Sequence, residues 1–198
     1  MSSRGKKAQR QEERRQAALA KARRRKFMIG AGIIGVVALI VAFVGFRPLP
    51  EELSDVQTFP DMGRNHLAEG PPLPDYNSSP ATSGDHSPTA AQCGIYTSEI
   101  PDPIQVHNLE HGTVVIQYQP GLDPDELQAL QDYARTKTSH ILLAPRTDLA
   151  DPVVVTSWTR MLRLQSADIE TIEVYYETFA FAGPEAGVPC AFVVEESL

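Results

Sequence analysis

Three histidines and one glutamate carry the chemistry most easily read in this sequence. His107 and His111 stand four residues apart in "VHNLEHGTVVIQY" (106–118), with Glu110 between them, and His86 lies upstream in "TSGDH". Neutral imidazoles bind zinc, copper and other transition metals. A neighbouring carboxylate can complete the shell, act as a general base, or orient an imidazole. His107-Asn108-Leu109-Glu110-His111 also matches the H-x-x-E-H pattern of one class of zinc peptidases. That chemistry needs both histidines on one face of a helix, with the glutamate as base. Pro101 and Pro103 lie just upstream, and Gly112 with the strand-like "TVVIQY" follows. At most about two turns of helix fit between Pro103 and Gly112, and spacing offers no third ligand. The expectation is therefore a loop entering a strand, with a metal-dependent hydrolase a distant third reading.

The loop itself supports a site. Residues 76–103 are rich in Ser, Pro, Gly, Thr and Asp, which is turn chemistry. A polar loop running from 76 to 112 is long for a compact domain, and such loops are often functional. The expected metal set is His86, His107, His111 and Glu110, holding zinc or copper. Asp85, Tyr76 or Cys93 could complete it, and Tyr76, Thr82, Ser83 and Asn108 could hydrogen-bond the ligands. The rival reading is a structural loop, in which imidazoles and the Asn108 amide bond backbone that has no sheet partner. His140 opens a strand and His66 lies in a linker, so both read as structural or exposed.

Regular elements must position these groups. "TVVIQY" (113–118) is β-rich. In "PGLDPDELQALQDYARTK", Asp123 fits an N-cap, Pro124 the first helical position and Glu126 a capping box. Leu127, Leu130 and Ala134 follow at helical spacing. "HILLA" (140–144) and "PVVVTSW" (152–158) read as buried strands. "SADIETIEVYYETFA" reads as a second helix capped by Ser166 or Asp168. The order β-α-β-β-α predicts an α+β domain with a mixed sheet and two packed helices, over residues 76–198.

The rest of the chain reads differently. Of the 18 Lys+Arg, 12 fall in residues 1–47 together with 2 of the 25 Asp+Glu, leaving 6 bases against 23 acids. Residues 27–46, "FMIGAGIIGVVALIVAFVGF", carry no charge. As a helix rising about 1.5 Å per residue they would span the roughly 30 Å core of a bilayer. The preceding "KARRRK" predicts a cytoplasmic N-terminus and an extracytoplasmic domain, a single-pass cell-membrane protein. The apolar core is too long for a signal peptide and lacks an A-x-A site. The "GAGIIG" match to a dinucleotide fingerprint fails, because it lies inside this span with no strand before it. Ala31/Gly35 and Ala38/Ala42 allow self-association of the span or contact with other membrane proteins. The basic tail, 1–26, suits anionic lipid, and topology accounts for its charge without nucleic acid. Residues 47–75 form a Pro-rich linker that can wrap the domain surface.

Cys93 and Cys190 are the only cysteines. In an extracytoplasmic domain they are expected to form a disulfide. The alternatives are a metal ligand at Cys93 or pairing with another chain.

"YNSSPATSGDH" (76–86), "CGIY" (93–96) and "VHNLEHGTVVIQYQP" (106–120) together resemble the bacterial domain-of-unknown-function family 3105, with "VVVTSWTRML" (153–162) echoing a later segment. The resemblance covers about residues 57–180. It marks Tyr76, Asn77, Pro80, Thr82, Ser83, Gly84, His86, Gly94, Tyr96, His107, Asn108, Glu110, His111, Gly112 and Trp158 as motif positions. It implies a single N-terminal span and no established activity. Ala81 stands where the pattern often has a second proline. Cys93 stands where tryptophan is at least as common, which argues against Cys93 as a shared ligand. The reading is a membrane-anchored extracytoplasmic protein with a possible metal-binding loop. The alternative is a non-catalytic binding or scaffolding module, and a binding role is favoured over catalysis.

Overall fold

The structure is a computed structural model and describes Met28, residues 49–68 and residues 74–193. The expected fold is corrected on two counts. Among the described residues no helix is long and apolar enough to cross a membrane. The segment on which that expectation rested, 27–46, lies outside the described residues apart from Met28, as does the basic tail 1–26. The described domain is α+β with a mixed sheet, and it carries three α-helices where two were expected.

The strands are β1 (Gln57–Thr58), β2 (Gly94–Ile95), β3 (Val114–Tyr118), β4 (Ile141–Pro145), β5 (Val153–Ser157) and β6 (Arg160–Leu164). The helices are α1 (Asp102–Glu110), α2 (Pro124–Arg135) and α3 (Ile169–Phe179), with a short 3-10 turn at Glu51–Leu53. The sheet runs β1-β6-β5-β3-β4-β2. β3 pairs parallel with β4 and antiparallel with β5. Parallel neighbours need a long crossover, and α2 supplies it between β3 and β4. The Asp123 side chain caps α2 by accepting from Asp125 N, and Asp168 caps α3 by accepting from Thr171 N. Glu126 closes no capping box with Asp123; its carboxylate accepts Ala167 N instead.

Side chains alternate across β3 because successive residues of a strand face opposite ways. Val114, Ile116 and Tyr118 join Leu130, Ile141, Leu143, Val155, Ile172 and Tyr175 in the main core under α2 and α3. Val115 faces the other way and packs with Leu142, Ala144, Val106, Leu109 and Trp158 under α1. Leu53, fully buried in the main core, pins the segment before β1 to the domain. Most of the supposed linker is thus part of the fold: β1 extends the sheet beside β6, with Gln57 opposite Met161.

One helix departs most from the sequence expectation. Residues 102–110 form α1 rather than a loop. The prolines do not prevent it, because Pro101 is the N-cap and Pro103 falls in the first turn, where a missing N–H costs nothing. The helix stops at Gly112, whose φ of +85° is the left-handed conformation that glycine adopts without strain. Thr113 N bonds Asn108 O and Gly112 N bonds Leu109 O, a Schellman closure. The chain then enters β3 directly.

Candidate metal centre

Helix α1 delivers three of the predicted residues to one place. His107 and Glu110 are buried on it, and His111 is its C-cap. Four residues apart on a helix is one turn, so both imidazoles project from one face. Their Nε2 atoms are 3.0 Å apart. Burial lowers the pKa of His107 and of His111, each being desolvated and each lying beside another imidazole. Burial thus favours the neutral, lone-pair form that a metal needs.

His86 arrives from the loop. Its Nε2 lies 3.0 Å from Glu110 Oε2, with both side chains almost completely buried. The alignment is not that of a hydrogen bond, and neither atom has another partner. The opposite ring nitrogens are committed. His86 Nδ1 lies 2.9 Å from Gly84 O, and His107 Nδ1 lies 2.7 Å from Ser87 O. A carbonyl can only accept, so both Nδ1 atoms carry a proton; in the neutral ring that leaves the lone pair on Nε2, which at His107 is hydrogen-bonded with His111 Nε2. This is how metal-binding histidines are usually oriented.

The fourth imidazole was not expected here. His66 forms a parallel bridge with His86, through Leu67 N to His86 O at 2.7 Å and His86 N to Asn65 O at 3.0 Å. Asn65 also bonds Asp85 Oδ1 through its side-chain amide, at 2.9 Å. The His66 ring centroid lies 5.1 Å from those of both His86 and His107. His66, His86, His107 and Glu110 each offer a ligand atom, all within 4.8 Å of one another; His66 is exposed and the other three are buried. Nothing in the sequence near His66 signals this, since the bridge joins residues 20 apart through backbone alone.

The other predicted residues hold the loop rather than the rings. The Asn108 side chain accepts from Ala91 N at 2.9 Å and donates to Ala91 O at 2.7 Å. Tyr76 donates its hydroxyl to Asp85 O at 2.8 Å, and burial raises its pKa. Thr82 pairs with Ser78 at 3.1 Å, and Ser83 accepts Met62 N at 3.2 Å. The Tyr76 ring lies where a Cβ on Gly84 would stand, 3.0 Å away, so a side chain there would displace it.

Cys93 and Cys190 form a disulfide with Cα atoms 5.6 Å apart, so Cys93 is not a ligand. The bond anchors the C-terminal strap, 181–193, which crosses the end of α1. Phe181 N bonds Gly112 O at 2.8 Å and Glu185 N bonds Glu110 O at 2.9 Å. Gly183 lies so close to the Glu110 carbonyl that a Cβ there would collide with backbone. His140 sits apart, its Nε2 3.2 Å from Val188 O.

Neither the curated proteins nor the solved structures contain a match to this chain. The family profile described as "Protein of unknown function (DUF3105)" matches residues 73–192, which include His86, Cys93, α1, Glu185 and Cys190 but not His66. The match spans more than half of the sequence, and the chain belongs to the DUF3105 family.

Proposed function

We propose that this domain binds a divalent transition-metal ion, zinc or copper, between His66, His86, His107 and Glu110. The observation that supports it is the buried contact of His86 Nε2 with Glu110 Oε2, 3.0 Å apart yet outside hydrogen-bond alignment. With its proton on Nδ1 alone, His86 sets a lone pair against the carboxylate, a buried contact that costs on the order of 1–3 kcal/mol for each unsatisfied group. A cation removes that cost. With bonds of about 2.0–2.1 Å, neighbouring ligand atoms on one ion stand about 3.0–3.4 Å apart and point at the ion, not at each other. Three imidazoles and a carboxylate suit zinc or copper better than magnesium or calcium.

The domain is read as a binding module rather than a hydrolase. Helix α1 removes the objection that the H-x-x-E-H segment has no helix, but Glu110 is turned to His86 as a ligand would be, not held free as a base. The structural reading accounts for Asn108, which clamps Ala91, and for the Nδ1 bonds of His86 and His107 to loop carbonyls, but not for the contact of His86 Nε2 with Glu110 Oε2.

The test is metal content and loading of the purified full chain. Chelator-treated protein is titrated with Zn(II) and Cu(II), beside His86→Ala and His107→Ala. Tight uptake, weakened about 100-fold in each variant, is expected for the loss of one ligand, about 2.7 kcal/mol. Metal-free protein that refuses both ions at neutral pH would overturn the reading.

A further inference from the structure

We propose that Glu110 is shared between two cations, with His111 and Glu185 completing a second, more exposed divalent-cation site beside the first. The inference depends on the metal reading of the first site and extends it.

Glu110, His111 and Glu185 each place a ligand atom within 4.8 Å of the others. Two ligands on opposite sides of one ion are about 4.2 Å apart, so small side-chain movements suffice. His111 Nε2 is 3.9 Å from Glu185 Oε2, too far for a hydrogen bond and suitable for a bridging ion. The second set shares Glu110 alone with the first. A carboxylate has two oxygens, and one of them is turned to His86. Glu110 is 1% exposed, and its Oε2, the atom beside His86, has no hydrogen-bond partner, which leaves Oε1 to face the second set. His107 and His111, with Nε2 atoms 3.0 Å apart, stand at the border of the two sets. Two-metal centres hold ions about 3.5–4 Å apart with such bridging groups.

Glu185 is not placed by chance of a mobile side chain. Its backbone N–H is bonded to the Glu110 carbonyl, and Gly183 lets the strap approach α1 backbone to backbone. The Cys93–Cys190 bond fixes the far end of the strap. The donor sets differ. The first site is rich in imidazole and largely buried. The second has one imidazole and two carboxylates, and the Glu185 side chain is 49% exposed. The second site therefore suits a harder, exchangeable cation such as manganese, iron or zinc, bound more weakly than the first.

The experiment counts ions. The chelator-treated full chain is titrated with Zn(II) by calorimetry, and bound metal is measured after desalting. Wild type is expected to take two ions in separate steps. Glu185→Gln, nearly isosteric at a half-exposed position, and His111→Ala should each take one, with the tight step unchanged. With Co(II), two equivalents should give a spin-coupled resonance signal that the single-site variants lack. One ion in wild type, with the tight step intact, overturns the second site and leaves the first. Two ions in both variants also overturn it. No uptake at all overturns the first site, and the second with it.

Discussion

Two polar clusters lie at opposite ends of α1, one partly exposed and one buried. At the N-terminal end, Arg146 reaches Asp102 and Asp148. Its Nε donates to Asp148 Oδ1 at 2.6 Å and its NH2 to Asp102 Oδ2 at 3.2 Å, with Ser79 Oγ at 3.4 Å. Burial opposes the Arg146 charge, but these carboxylates outweigh it and raise its pKa. They border an open cleft of about 460 Å³ with Glu99, Ile100 and Pro101. At the C-terminal end, His86, His107 and Glu110 are at least as buried, yet His86 Nε2 and Glu110 Oε2 stand without hydrogen bonds. One cluster satisfies its polar groups from its own residues, and the other does not. Native proteins leave few buried polar atoms unpartnered. Gln105, Gln117 and His140 also carry such atoms, but those of His86 and Glu110 face each other, so this cluster is where function is to be sought.

Removing the disulfide with a Cys93→Ala, Cys190→Ala pair opens a loop with a sequence separation of 97. The chain-entropy model predicts a loss of about 4–5 kcal/mol, a fall in Tm of about 8–20 °C at about 2–4 °C per kcal/mol. Calorimetry checks the fall. Hydrogen exchange should quicken in the strap at 181–193 and not at 146–148; equal loosening at both ends would erase the distinction.

Arg146→Ala strands Asp102 in a partly covered site. Breaking a buried pair costs about 3–5 kcal/mol; Asp148 and Asp102 keep some solvent contact, so about 3 kcal/mol is expected. Urea unfolding measures it. Metal content should not change, and a variant that also lost metal would show that the two clusters are not independent.

His86→Ala should do the reverse. Without metal the variant should lose about 2 kcal/mol, because a fully buried ring leaves a cavity, partly offset by relief of the contact with Glu110. In the presence of Zn(II) at about 100 times its dissociation constant, wild type should gain about 2.7 kcal/mol that the variant lacks. An equal metal-induced gain in the two would remove the functional meaning of this cluster.

The smallest effect is in acid. Hydrogen bonds from Arg146 hold the Asp148 pKa below its usual carboxylate value of 3.8, against the opposing effect of burial. A carboxylate with a lowered folded pKa stabilises the fold above its unfolded pKa, and that stability is lost as pH falls through the folded value. Wild type should therefore weaken below about pH 4 in part through this pair, and Asp148→Asn should flatten that part of the profile. An unchanged acid limb in urea titrations at stepped pH would assign the loss elsewhere.

What could be read from the sequence follows patterns that are local. β3, β4 and β5 are short apolar runs, and α2 and α3 have caps and a repeating apolar stripe. Those elements were legible within a residue or two. α1 was not, because nearly all its residues from Pro103 to Glu110 are buried. A helix enclosed on most sides, with polar groups turned to a site, shows no stripe. β6 was missed because Arg160 and Arg163 interrupt the run; Arg160 covers the Phe179 ring and Arg163 pairs with Asp151 at 3.3 Å. Its hairpin also lacks a turn signal. Thr159 adopts φ +61°, costly for a β-branched residue. It is held there by Thr159 N to Thr82 O and by Phe59 N to Thr159 O, both 2.9 Å.

The sequence by itself determined the family motif, the donor types at His86, His107, Glu110 and His111, and the mixed sheet against which α1 packs. Those depend on residue type and on short-range periodicity. Only the tertiary structure decided that His66 joins them, that Asn108 serves the loop, and that Glu185 is brought to His111. Each of these is a contact between segments distant in the chain; for His66 and Glu185 it is made by backbone bonds that any residue can form and that leave no mark on the sequence, and for Asn108 by a side-chain amide whose partner supplies only backbone.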